Sequence, residues 1–165
     1  MNPIHFHLLI THLPVFASFF GGILLVYGRI RQSEKSRQAA YVMLIIAGLG
    51  TLASNISGEE AEHLAERIPG IAEELIEEHE ESVRWVFWTL VPCALASIAG
   101  LWTCIKRPQM EKWFAIVAIS LSLIGFVAVS RTAWLGGQIR HSELNANQDS
   151  KSNGADEQNE FEDSE

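Results

Sequence analysis

The sequence predicts an all-α integral membrane protein, a four-helix bundle with a short helical outer cap and a disordered acidic C-terminal tail. Three observations carry that prediction. Four blocks, Leu8 to Tyr27, Ala39 to Ile56, Val83 to Ile105 and Trp113 to Ser130, are almost free of charge, with Arg84 the one exception. About 20 helical residues cross a hydrocarbon core of about 30 Å, whereas a soluble bundle interrupts such runs with charge every turn. The connections on one side of these blocks are basic and those on the other acidic. All five tryptophans, Trp85, Trp88, Trp134, Trp102 and Trp113, fall at block ends, where amphipathic rings favour the interface.

The basic connections set the orientation. Arg29, Arg31, Lys35 and Arg37 oppose Glu34 between spans one and two, and Lys106, Arg107 and Lys112 oppose Glu111 between spans three and four. By the positive-inside rule both lie in the cytoplasm, so both termini and the middle connection face outward. That outer side holds eighteen of the twenty acidic residues, ten from Glu59 to Glu81 and eight from Glu143 to Glu165. Such an exterior argues against nucleic acid and suits a basic soluble partner.

The first span, about 8–28, opens on Asn2-Pro3, a cap and first-turn proline. No Lys or Arg precedes it and no small-residue cleavage site follows, so a cleavable signal peptide is not expected. His5, His7 and His12 stand at its mouth, and His5 and His12, seven residues apart, share a helix face. His12 lies about 6 Å into the span, and Pro14 should bend the helix one turn below it. Ionisable groups at membrane depth are costly and are kept for a purpose.

The second span, about 39–56, carries the small residues Ala47, Gly48, Gly50, Thr51 and Ala53 and is assigned to packing. The outer cap covers 57–82. Ser57-Gly58-Glu59-Glu60 reads as a cap opening a short helix that ends near Pro69-Gly70, with His63 on its polar side. A second helix from Ile71 continues into the third span, about 83–105, and His79 falls on its apolar stripe with Ala72, Leu75, Ile76, Val83 and Val86. Cys93 and Cys104, eleven residues apart on that span, cannot bridge each other and read as packing residues. The fourth span, about 113–134, ends in Arg131, Gly136-Gly137, Arg140 and His141, the glycines permitting close backbone approach. The tail, 146–165, has Phe161 as its one aromatic and should not fold.

All six histidines fall on the predicted outer side, contributed by three different helices. A b-type haem needs two axial imidazoles on different helices and cations near its propionates. His12 or His7 with His79 would supply the pair, and Arg84, Arg131 and Arg140 the cations. A Zn or Cu ion needs three or four converging ligands, for which His7, His12, His79 and His141 are the candidates. The residues leave these two guests, and a purely structural role for the histidines, open. No phosphate loop, nucleophile elbow or metalloprotease motif is present, so no independent catalytic activity is expected.

His7-Leu-Leu-Ile-Thr-His12-Leu-Pro14 resembles the His-x-x-x-x-His-Phe-Pro opening of a bacterial four-span membrane family, domain of unknown function 2231. Ser57-Gly58-Glu59, His79-Glu80 and Arg131 through His141 resemble its later motifs, with Thr11 and Ser57 as small departures. The resemblance covers about residues 1–145. It implies a multi-pass protein of the bacterial inner membrane. Some relatives look associated with cytochrome-type modules, which implies a redox or electron-transfer component with a soluble cytochrome or other respiratory subunit as outer partner. A non-redox subunit or metal-handling protein is the alternative. His12 and His79 are the leading ligands, with His7 and His141 next.

Overall fold

The four helices follow from the four blocks, but they run longer than the apolar stretches that seed them. In a computed structural model, residues 3–65 and 73–162 are described, with side chains over 10–58 and 77–138. Helix α1 spans Pro3–Ile30, α2 Glu34–Ala65, α3 Glu73–Lys106 and α4 Pro108–Glu162. Within them Ile10–Ile30, Glu34–Gly58, Glu77–Lys106 and Pro108–Gln138 are long and apolar enough to cross a membrane.

Two tight connections fix the neighbours. Between α1 and α2, Gln32 adopts φ 52°, and the Ser33 amide donates to the Gly28 carbonyl at 2.9 Å. The Ser33 hydroxyl then accepts from the Ser36 amide at 3.3 Å, an N-terminal cap that starts α2 at once. Between α3 and α4 Arg107 stands alone, and Pro108 takes the first helical position, where its missing N–H costs nothing. Both pairs are therefore antiparallel. Gly28 meets Arg37, Gly21 meets Leu44 and Gly50 meets Pro14, a register running in opposite directions along α1 and α2. The helices form a ring in which α1 touches α2 and α4, and α3 touches α2 and α4, while the diagonal pairs barely meet.

Packing is inside-out relative to a soluble bundle. Large apolar side chains such as Phe16, Leu49, Leu95 and Ile116 are exposed, and the interior takes Ala40, Ala47, Ala118 and the hydroxyls of Ser18, Thr51, Ser97 and Ser122. Lipid is as apolar as leucine, so small residues that let backbones approach gain more. Most interior hydroxyls satisfy themselves on their own helix: Ser97 donates to the Cys93 carbonyl at 2.7 Å and Thr51 to that of Ala47 at 3.0 Å. Cys93 and Cys104 are free and buried in the core, as packing residues would be. All five tryptophans are more than half exposed.

Three expectations are corrected. No separate cap helix opens at Ser57: α2 continues unbroken to Ala65, and the Ser57 hydroxyl donates to the Ser54 carbonyl at 3.2 Å inside it. A helix already in progress needs no new nucleus, so extending it is easier than starting another. The expected end near Pro69-Gly70 lies outside the described residues. The tail, expected to be without structure, continues the backbone of α4 to Glu162. No proline follows Pro108, and the Ala, Glu, Gln and Lys of that segment are good helix formers. Finally, Glu111, placed by its neighbours in a charged connection, is 1% exposed inside the bundle.

Candidate functional site

The ring of helices has two polar ends. One, the histidine end, carries the N-terminus of α1 and the start of α3. The other, the glutamate end, is closed by the two short connections.

At the histidine end a side chain of α3 comes close to the backbone of α4. The His79 ring approaches α4 so nearly that a Cβ on Gly136 would lie 3.3 Å from its Cε1. Glycine at 136 lets the two helices close around the imidazole. One turn inward, the Ser82 and Thr132 hydroxyls share a hydrogen bond of 2.7 Å, with Ser82 buried. Below them Val86 and Leu90 of α3, Val129 of α4 and the partly buried Val15 of α1 form an apolar plug. The close approach that the glycines permit is made at Gly136, where the group that approaches is the His79 ring, and not at Gly137.

His12 is placed differently from expectation. It is exposed, stacks on Phe16 with ring centroids 6.4 Å apart, and lines a groove of about 400 Å³ between α1 and α2. Leu13, Phe16, Phe20, Met43 and Ile46 complete that lipid-facing groove. The cause is helical phase. Pro14, Ala17, Ser18, Gly21 and Leu25 occupy the interior stripe of α1, and His12 falls on the opposite side. His12 thus lies on the outer face of α1, whereas His79 is set against α4. Arg84 and Arg131 are exposed, as side chains snorkelling to an interface would be, and neither lies in the interior. The side chains of His5, His7, His63, Arg140 and His141 lie outside those described. Among the described residues no group of three or more His, Cys, Asp or Glu could hold a metal ion.

The glutamate end holds a constellation that the sequence did not disclose. The Glu111 carboxylate of α4 accepts from the Arg29 guanidinium of α1 at 2.5 Å and from the Tyr41 hydroxyl of α2 at 2.7 Å. Arg37 Nε of α2 lies 3.4 Å from the same carboxylate. The Tyr41 ring fills the space a Cβ on Gly100 of α3 would occupy. Residues of α1 and α2 therefore meet one buried acid of α4, and α3 backs the Tyr41 ring. The second span, assigned to packing alone, contributes Tyr41. A signal was available: Glu111, Ala115, Ala118, Ser122, Gly125 and Val129 recur at four- and three-residue steps, a small-residue stripe that begins with the glutamate.

Chemically, the histidine end can offer imidazole nitrogen from within the bundle, whereas the glutamate end is an ion cluster linking helices. Neither a curated protein nor a solved structure matches the chain. The family described as predicted membrane protein (DUF2231) matches residues 2–143, all four spans and both polar ends included. This four-span membrane chain belongs to the DUF2231 family.

Proposed function

We propose that the protein is a membrane electron-transfer component that holds a b-type haem at its histidine end, between position 7 of α1 and His79 of α3. The observation that carries this reading is register. His79 stands three residues before Ser82 and seven before Val86, both buried, so it continues the interior stripe of α3. Position 7 stands seven residues before Pro14 and eleven before Ser18, both buried, so it continues the interior stripe of α1. Val15 packs on the cluster of Val86 and Leu90. Counting outward from that level, positions 7 and 79 both rise by roughly 12 Å at 1.5 Å per residue. Two histidine positions thus share one depth on diagonal helices, which bis-imidazole ligation requires.

On α4, position 140 falls on the same stripe as Val129 and Gly136, which favours Arg140 over the exposed Arg84 and Arg131 as a propionate partner. A bound haem would supply one-electron chemistry. The eighteen acids flanking this end would attract a basic soluble electron carrier, such as a cytochrome, from the extracytoplasmic side of a bacterial inner membrane.

The test is the absorption spectrum of the purified protein, oxidised and reduced, with metal analysis alongside. A Soret band is expected, lost in His7→Ala and in His79→Ala and kept in His12→Ala. A colourless protein, or one carrying stoichiometric zinc or copper instead, overturns the haem assignment. A band surviving both interior substitutions overturns the ligands.

A further inference from the structure

The glutamate end carries an excess of positive charge that its own acids do not balance. Its two connections and their flanking turns hold seven cations against two carboxylates, Glu34 and Glu111. Glu111 is buried and already shared by Arg29 and Arg37, so this cluster retains one positive charge. Arg37 is 12% exposed, and its Nε makes no hydrogen bond among the described residues, although it lies near the carboxylate. Its stem is pressed against α1, with the Arg37 Cγ 2.9 Å from where a Gly28 Cβ would stand. Arg29 gives one nitrogen to Glu111 while its side chain stays 34% exposed, and a guanidinium has five N–H donors. A partly desolvated cation that its partner leaves unbalanced is stabilised by a further anion.

The depth of this end selects the anion. Trp102 and Trp113, both more than half exposed, mark the headgroup level, and Lys112 Nζ lies 5.4 Å over the Trp113 ring. We propose that the glutamate end binds an anionic phospholipid, its phosphate seated against Arg29 and Arg37, with Lys106, Arg107 and Lys112 widening the attractive field. Glu111 then sets the strength of the site, neutralising one of the two guanidiniums and aiming both. The proposal uses the opposite end of the bundle from the histidines and stands apart from the haem reading.

The experiment compares the full-length protein in nanodiscs of phosphatidylcholine alone and of phosphatidylcholine with phosphatidylglycerol. Thermal unfolding is followed, and native mass spectrometry counts the lipids retained after release. Phosphatidylglycerol should raise the midpoint and remain bound. Arg107→Gln and Lys112→Gln, both exposed and foldable, should each weaken retention about fivefold, the ratio given by about 1 kcal/mol per cation near an anionic surface. Arg37→Gln should weaken it further, and Lys151→Gln in the tail should leave it unchanged. Equal midpoints and lipid counts in the two nanodiscs overturn the proposal. So does an equal shift produced by inorganic phosphate in phosphatidylcholine alone, because the lipid is then not the ligand.

Discussion

Glu111→Ala is expected to lower the thermal midpoint in detergent more than any other single truncation in the bundle. It strands Arg29, Arg37 and the Tyr41 hydroxyl at a site where the carboxylate is 1% exposed. Removing one partner of a buried ion pair costs about 3–5 kcal/mol, because the remaining charge stays desolvated. Arg29, at 34% exposure, can rehydrate, so the penalty falls mainly on Arg37 at 12%. Glu111→Gln keeps an acceptor for Tyr41 but loses the charge, and should fall between the parent and Glu111→Ala. Melts followed by circular dichroism decide it. A Glu111→Ala midpoint equal to the parent would mean that the guanidiniums escape to water without cost.

Gly48→Ala should be the next most damaging change. A Cβ at 48 would overlap the Ala94 Cβ and come 3.0 Å from the Leu90 carbonyl oxygen. Neither atom can rotate away, so α2 and α3 must separate, and overpacking of that kind costs about 1–3 kcal/mol. Helix association in lipid depends on close packing, with little hydrophobic drive to recover the loss. Gly21→Ala offers the comparison, since its Cβ would meet the end of the Leu44 side chain at 2.9 Å, and that side chain can turn. Equal unfolding midpoints for the two variants would refute the rigid-contact account.

The four spans were legible because length and absence of charge are one-dimensional properties, and the helices at Ile10–Ile30, Glu34–Gly58, Glu77–Lys106 and Pro108–Gln138 cover the expected ranges. The face of α3 that carries His79 was legible too, because Val83 and Val86 continue its apolar stripe. Which way His12 points was not. In a span apolar on every side, hydrophobicity carries no phase, and the interior is marked instead by Pro14, Ala17, Ser18 and Gly21. Read by small residues and hydroxyls, the same sequence turns His12 outward. Glu111 was hidden for a related reason: beside Lys106, Arg107 and Lys112 it looks like one charge among several in a connection. Only the packing of α4 shows that it alone faces inward.

The order in which the ring closes bears on how the chain is made. Helices α1 and α2 form one hairpin and α3 and α4 another, so most contacts arise between segments that leave the ribosome in succession. The carboxylate of Glu111 is among the exceptions, reaching back 82 residues to Arg29 and 70 to Tyr41. Until the last helix is inserted, the first hairpin presents two guanidiniums and a phenol with no acid to receive them. A nascent chain stalled before Glu111 therefore differs from a finished one by an uncompensated charge as well as by the missing apolar face of α4.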